Sequence, residues 1–410
     1  MPNHIRVTSE VGRLRSVLTH CPGLEIELVP SEKTAEWLFE DPLWLQEAQK
    51  EYNTLLSVLR AVVGQQNVLE FTSLLRDVLE DQLIRSRVLG ALEQAEHLDS
   101  GLSNALTSLP SEELARALIQ GSLPDHPLVN LFPPTPNLIF TRDIGAVISS
   151  GFVIGRAKKP ARQRESLLMR LIAAHHPMFT NVVRITLEIP NSERFWLGVD
   201  QLFSENPDPD ALILSIEGGD LLMFDEHRVF VGCGERTTEL AISMLARALF
   251  ASALVTDVFK VMLPKKRSSM HLDTICTIIN KNELAVDERY VGRKGPRRLP
   301  IVQMQRRPDG SLREARFDCL EDAVRSIAPS AHFICCGGSS QLFQSREQWS
   351  DAVNFLALAP GVVVGYDRNE RTLREMEANG YSVTNSRSFL AEWNQKGEQI
   401  VNSTSKFIKK

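Results

Sequence analysis

Four short segments collect acidic residues, a histidine and arginines beside the expected ends of strands. They span residues 136–143 (Pro-Asn-Leu-Ile-Phe-Thr-Arg-Asp), 217–220 (Glu-Gly-Gly-Asp), 234–236 (Gly-Glu-Arg) and 270–273 (Met-His-Leu-Asp). His271 and Asp273 are two positions apart, so on an extended segment they would share a face and could contact one ligand. The same spacing suits a metal pair or a hydrogen-bonded strand end, and each segment alone is a weak signal.

The residues around these segments have both functional and structural interpretations. Glu217 closes an apolar run, and the two glycines after it let the backbone turn sharply and admit a ligand closely. Glu217 and Asp220 could equally stabilise a loop. Arg162 and Arg236 each lie near the expected start of a helix, where the helix dipole disfavours positive charge. An anionic group on a ligand would explain both arginines, and a surface salt bridge is the ordinary alternative.

The composition excludes several classes of partner. Of 410 residues, 43% are hydrophobic, which is enough for a large core, and 46 Lys plus Arg against 51 Asp plus Glu give a formal net charge of -5. Basic residues are scattered, so nucleic acids and acidic membranes are poor partners. The first residues lack the apolar run of a leader, and nowhere do 18 consecutive apolar residues occur. We therefore expect a cytoplasmic protein, and a homo-oligomer stays open.

The cysteines show no metal-binding or disulfide pattern. The sequence holds six of them and no Cys-x-x-Cys spacing: Cys21, Cys233, Cys276, Cys319, Cys335 and Cys336. Neither a zinc ribbon nor a disulfide scaffold is indicated. We expect reduced thiols that are mostly buried.

The period of the apolar residues changes along the chain. From Leu45 they fall at three- and four-residue steps and stop at Gly64, which predicts an amphipathic helix. Similar stretches follow, and Ser111 can cap the last of them while Gly121 can end it. After Asp125 strands and helices alternate with several hairpins, and no Gly-x-Gly-x-x-Gly follows a strand. The expected strands lie in 5–20, 138–141, 146–148, 182–189, 212–217 and 255–263, and the expected helices in 162–175 and 237–250.

Together these segments resemble the arginine deiminase family over nearly the whole chain. The shared pattern occurs in the family's order and at similar separations, in segments 137–143, 160–165, 217–220, 234–236, 270–274 and 360–369. The resemblance implies an α/β fold, a pseudosymmetric propeller of five strand-rich modules with an inserted helical domain. On this basis residues 1–44 and 126–410 would form the propeller and residues 45–125 the insertion.

The resemblance also implies how a substrate would be bound. Asp143 and Asp273 would hold its guanidinium, a planar cation that suits bidentate acceptors. Arg162 and Arg236, with Asn137 beside them, would hold its α-carboxylate. Free L-arginine is therefore expected rather than agmatine, which has no carboxylate.

The implied chemistry is covalent. His271, oriented by Glu217, would act as general acid and then as general base. A cysteine thiolate would attack the guanidinium carbon and release ammonia, and water would then release L-citrulline. The resemblance implies no metal and no organic cofactor.

The sequence departs from the family at the nucleophile. The family cysteine lies near the C-terminus in a loop ending Gly-Gly-x-x-Cys-Met, whereas no cysteine follows Cys336 here. Ser403 and Ser405 are poor substitutes, because an unactivated hydroxyl is a weak nucleophile. Cys335 and Cys336 precede two glycines at an expected strand end and could approach the site, although buried structural cysteine is the usual outcome.

Two hypotheses follow from this departure. The first is an arginine deiminase whose final segment is missing from the reading frame. The second is a pseudoenzyme that keeps the guanidine-binding residues and binds arginine or a partner. A Gly-Arg-Gly-Gly-x-x-Cys stretch encoded downstream would favour the first.

Overall fold

The computed structural model of the chain describes residues 5–188, 213–307, 309–397, 399–400 and 406–409. The chain forms two compact units. The first comprises Ser16–Gly145 and Lys159–Arg184, and the second comprises Ile5–Arg15, Ala146–Lys158 and Ile185–Lys410.

The described helices are α1 Leu24–Glu27, α2 Leu45–Val63, α3 Phe71–Leu79, α4 Gln82–Glu96, α5 Ser100–Ser108, α6 Ser111–Gln120, α7 Gln163–His175, α8 Glu239–Ala251, α9 Glu288–Val291, α10 Leu320–Ile327, α11 Gln341–Trp349, α12 Glu370–Ala378 and α13 Ser386–Lys396. Short 3-10 turns lie between them, at Ser31–Trp37, Gln65–Asn67, Pro136–Ile139, Pro160–Arg162, Pro177–Phe179, Gly218–Asp220, Arg267–Ser269 and Leu272–Thr274. None of the helices in these ranges is both long and apolar enough to cross a membrane.

The described strands are β1 Val17–Thr19, β2 Val68–Glu70, β3 Gly145–Ile148, β4 Gly151–Ile154, β5 Val183–Ile185, β6 Leu221–Asp225, β7 Arg228–Cys233, β8 Asp257–Met262, β9 Cys276–Asn280, β10 Glu283–Val286, β11 Ile301–Arg306, β12 Leu312–Phe317, β13 His332–Cys335, β14 Leu356–Ala359, β15 Val362–Gly365, β16 Ser382–Asn385 and β17 Lys406–Lys409.

The first unit is mainly helical. α2 stops at Gly64, whose φ of 86° takes it out of the helical region, and α6 stops at Gly121 with a left-handed φ of 76°. α3 and α6 pack against each other through side chains that are fully buried, among them Leu75 and Leu118. The parallel pair β1 and β2 lies at the start of this unit.

The second unit contains sheets that mix parallel and antiparallel pairs. Their strand orders are β12-β11-β8-β7-β6, β13-β10-β9 and β14-β15-β17-β16. In each sheet an antiparallel hairpin is present, and its second strand pairs in parallel with a later strand: β7 with β8, β10 with β13, and β15 with β17. Phe230 and Phe259 stack in the core at 4.5 Å between ring centroids. The fold is therefore mixed α/β.

Most of the predicted elements are confirmed. The helices predicted at 45–63, 162–175 and 237–250 are α2, α7 and α8, and the strand at 255–263 is β8. Hairpins are present, which excludes a purely parallel sheet. The proposed boundaries of the inserted domain, 45 and 125, stay a prediction.

Four predictions about local structure were wrong or extend beyond the described residues. Residues 138–141 do not form a strand, because Pro136 starts a 3-10 turn there. Ser111 is the first residue of α6 rather than its cap, and its hydroxyl donates to the Leu79 carbonyl instead. Ile189 and Leu212, at the ends of two predicted strands, lie outside the described residues, and Ile216 forms only an isolated bridge with Arg156.

Candidate active site

In the first unit, three predicted site residues meet at the N-terminus of α7. Asn137 lies in the turn Pro136–Ile139, Asp143 follows that turn, and Arg162 ends the turn that leads into α7. Arg162 Nη1 donates to Asp143 Oδ2 at 2.7 Å, and its Nη2 donates to the Asn137 carbonyl at 3.3 Å. The structure thus brings Asn137, Asp143 and Arg162 together.

Arg162 is a buried cation held by two carboxylates. It is 3% exposed, and its Nε donates to Glu165 Oε2 at 3.0 Å, one turn along α7. Glu165 is fully buried. The contact of Asp143 with Arg162 also demonstrates that the Asp143 carboxylate accepts a hydrogen bond from a planar guanidinium.

In the second unit, His271 and Glu217 form a buried pair. His271 Nε2 and Glu217 Oε2 are 2.9 Å apart, and the side chains are 8% and 1% exposed. A carboxylate at this distance fixes the orientation of the imidazole. Glu217 is itself fixed, because its backbone N–H donates to Thr237 Oγ1 at 3.2 Å.

Arg236 lies beside the same carboxylate but is held more loosely. Its Nη1 is 3.5 Å from Glu217 Oε2, its Nε is 3.8 Å from Glu235 Oε1, and its Nη2 is 3.7 Å from Met270 Sδ. The residue is 2% exposed. Among the residues that the structure describes, the contacts of this buried guanidinium are all 3.5 Å or longer, so it can gain from an added anionic partner.

Asp220 supports the loop that carries His271 and Asp273. It is fully buried, and its Oδ1 accepts a hydrogen bond from the Leu272 backbone N–H at 3.0 Å. Gly232 makes room for this carboxyl, since a Cβ at that position would overlap it. Burial raises the pKa of Asp220 to about 7, the charges of Glu217 and Asp273 add to the effect, and His271 and the Thr237 hydroxyl oppose it.

Asp273 lies in the 3-10 turn Leu272–Thr274 and is half-buried. His271 has extended backbone angles, with φ of -130° and ψ of 158°, but the chain turns directly after it. The expectation that His271 and Asp273 share the face of an extended segment was therefore wrong. Sequence reasoning also missed Thr237 as a support of Glu217, for which the sequence carried no signal.

The six thiols all have raised pKa values. Burial raises the pKa of all six, to about 11 for Cys233 and to about 12 for Cys276 and Cys335, and it acts on Cys21, Cys319 and Cys336 in the same direction. At Cys335 the Glu288 carboxylate adds to the effect. Reactive cysteines instead have a lowered pKa near cations or helix N-termini.

Comparison with known proteins identifies the class. The family model described as arginine deiminase matches residues 35–388. Arginine deiminases of Listeria welshimeri and Listeria innocua are 32% and 33% identical, each over 90% of both chains. The arginine deiminase of Mycobacterium marinum is 31% identical over 93% of both chains.

Solved structures give a weaker likeness. A DDAH from Pseudomonas aeruginosa complexed with citrulline is 13% identical over 90% of both chains, with a TM-score of 0.45. The amidinotransferase SxtG from Microseira wollei is 12% identical, with a TM-score of 0.45, over 92% of this chain and 90% of its own. These TM-scores are too low to show that the sheets of this chain are arranged as in those structures.

A buried His–Glu pair beside the buried Arg236 and Asp220, in a mixed α/β fold, fits a hydrolase that acts on guanidino C–N bonds. The sequence matches name the family within that class. The chain belongs to the arginine deiminase family.

Proposed function

We propose that this chain binds L-arginine and is built for the hydrolysis of its guanidino group to L-citrulline and ammonia. The observation that carries the proposal is the buried pair of His271 and Glu217, with Arg236 on the same carboxylate, in a member of the arginine deiminase family. Burying a histidine and an arginine on one carboxylate costs desolvation energy, and a role in binding and catalysis accounts for that cost.

In the first unit, Asp143 accepts the substrate guanidinium, and Arg162 holds the α-carboxylate with Asn137 beside it. The pair of Asp143 and Arg162 supports these roles. Asp143 already binds a guanidinium, and Arg162 already binds a carboxylate, which are the two groups that arginine would supply to them. Substrate binding then exchanges one internal ion pair for two contacts with the ligand.

In the second unit, Asp273 is the other guanidinium acceptor and Arg236 the other carboxylate donor. His271 protonates the departing nitrogen, so that ammonia leaves as the C–N bond breaks. It then removes a proton from water, whose oxygen bonds to the guanidinium-derived carbon. Glu217 keeps the imidazole oriented and stabilises its cation in both steps.

The covalent route also needs a thiolate that forms a C–S bond with the guanidinium carbon as ammonia leaves. This C–S bond breaks when the oxygen of water bonds to the carbon, which releases L-citrulline and the thiolate. The raised pKa of the six thiols gives no support to any of them in this role. We therefore propose that the chain as given binds arginine but turns it over at a negligible rate. The second candidate, an arginine-binding pseudoenzyme, is favoured by the same observation.

For the fold we propose the five-module α/β propeller of the family, in a cytoplasmic protein. One arrangement occurs three times: an antiparallel hairpin whose second strand, β7, β10 or β15, pairs in parallel with a later strand. This repetition supports a fold built from similar modules. The helices α2 to α6 support the helical insertion at 45–125.

The decisive experiment compares two chains in a citrulline assay alongside calorimetry with L-arginine. One is the present chain, and the other carries Gly-Arg-Gly-Gly-Pro-Arg-Cys-Met added beyond Lys410. The addition is placed there because β17 pairs with both β15 and β16, so that replacing it would remove an inner strand of its sheet.

We expect both chains to bind arginine and only the extended chain to produce citrulline. In comparable enzymes that lose the nucleophile, the rest of the site still accelerates the reaction roughly a thousandfold over the uncatalysed rate in water. Robust citrulline production by the present chain would contradict the proposal, and Cys335 and Cys336 would be the first residues to replace. Binding without turnover in both chains would favour the pseudoenzyme.

A further inference from the structure

The first unit contains a cavity that the proposed reaction does not use. The cavity measures about 650 Å³ and lies between α4, the N-terminus of α7 and the turn that ends at Trp37. Leu92, Pro133 and Leu167 line its apolar wall together with Trp37. Its volume is within the range of small-molecule sites.

Arg164 is the unusual residue of the wall. It is 7% exposed, its Nη1 donates to Glu96 Oε1 at 3.0 Å, and its guanidinium lies 4.9 Å from the centre of the Phe132 ring. Its Nε is buried and has no hydrogen-bond partner within the residues that the structure describes. Burial lowers the pKa of Arg164 to about 10, although Glu96 and Glu165 oppose this, so the cation is incompletely compensated.

The charges on the wall are of both signs. Glu36 is exposed and lines the cavity, as does Glu96. A ligand with only a carboxylate would meet Arg164 but also two glutamates, and a ligand with only an amine would leave Arg164 as it is. A zwitterion meets both requirements, and the apolar wall around Trp37 would accept its side chain.

We propose that this cavity binds a free α-amino acid, with its carboxylate on Arg164, its ammonium towards Glu36 and Glu96, and its side chain against Trp37. The site is separate from the residues assigned to the substrate. It is nevertheless connected to them, because Asn137 Nδ2 donates to the Trp37 carbonyl at 2.9 Å.

The test first removes the two proposed guanidinium acceptors. Calorimetry is performed on the chain carrying Asp143→Ala and Asp273→Ala, and because Arg162 and Arg236 remain, two cavity variants separate binding at the cavity from binding at these arginines. The probes are L-leucine, 4-methylpentanoate, which lacks the amine, and 3-methylbutylamine, which lacks the carboxylate. We expect L-leucine to bind with 1:1 stoichiometry and at least about tenfold more tightly than either analogue.

Two variants in the same background locate the binding. Arg164→Leu should weaken L-leucine binding about tenfold or more, and Ala161→Phe should do the same by filling the cavity with Arg164 retained. Arg116→Leu removes an exposed arginine of α6 outside the cavity and should have no effect. Circular dichroism checks each fold, and Ala161→Phe decides the matter if Arg164→Leu does not fold.

Several results would overturn the proposal. These are no binding of L-leucine, equal binding of either analogue, or binding that is unchanged in Ala161→Phe. Because the background variant lacks Asp143 and Asp273, none of these results bears on whether the unmodified chain binds arginine as its substrate.

Discussion

Agmatine, which is arginine without its carboxylate, should bind this chain much more weakly than arginine. The reason is that Asp143 is already engaged by Arg162 at 2.7 Å, in a site where Arg162 is 3% exposed. We expect a ligand guanidinium that takes Asp143 to displace this internal partner. Arginine can compensate Arg162 with its own carboxylate, whereas agmatine has nothing to offer it.

The size of the effect follows from the partners that Arg162 would keep. Leaving one member of a buried ion pair without its partner costs about 3–5 kcal/mol. Glu165 would still accept from Arg162 Nε at 3.0 Å, which retains part of the compensation. We therefore expect a difference of roughly 2 kcal/mol, or about 30-fold in Kd, from this residue alone. Arg236 would add to it.

Calorimetry with both ligands measures the difference, and a variant separates its cause. Arg162→Gln should weaken arginine binding and at the same time strengthen agmatine binding, because Asp143 loses its internal competitor. Arg116→Gln, at an exposed arginine of the same unit, should change neither. Equal affinities in the unmodified chain, or a preference for arginine that Arg162→Gln leaves undiminished, would refute the exchange of ion pairs.

Further predictions concern the acids and the histidine. Asp143→Ala and Asp273→Ala should each weaken arginine binding by about 2–5 kcal/mol in calorimetry, whereas His271→Ala should leave it nearly unchanged. Loss of binding in His271→Ala alone would favour a structural role. The raised pKa of Asp220 stabilises the fold below pH 3.8, and this contribution is lost as the pH rises towards 7. Urea unfolding measures this as the difference in the free energy of unfolding between Asp220→Asn and the parent chain. As the pH rises from 5 to 8, the difference should shift in favour of Asp220→Asn by roughly 2–3 kcal/mol, whereas the exposed control Asp125→Asn should show no such shift.

The long elements could be predicted from the sequence because their pattern repeats. α2 shows its apolar residues over five turns and ends at a glycine, so both its period and its end are visible. β8 is mostly buried, and its apolar residues Val258, Phe259, Val261 and Met262 are interrupted only by Lys260. Residues 138–141 look like such a run too, but Pro136 fixes a turn that the apolar side chains alone do not reveal.

The candidate residues could be named from the order of the motifs, but their partners could not. The spacing of Arg162 and Glu165 suits a contact along a helix, and the structure has it. The contact between Arg162 and Asp143 spans 19 residues, and the contact between His271 and Glu217 spans 54. Such pairs depend on how the chain folds back, and no local pattern encodes them.

The position of these residues on short turns explains why periodicity is silent about them. Asn137 and Asp273 lie within 3-10 turns, and Glu217 and His271 each directly precede one. A turn of three or four residues is too short to show a period. Its side chains also do not follow the two-residue alternation of the strand that comes after it. Its geometry must instead be held by specific contacts, as Asp220 holds the Leu272 N–H. A buried carboxyl with a raised pKa can persist there because the backbone it fixes carries both the general acid and a guanidinium acceptor of the proposed reaction.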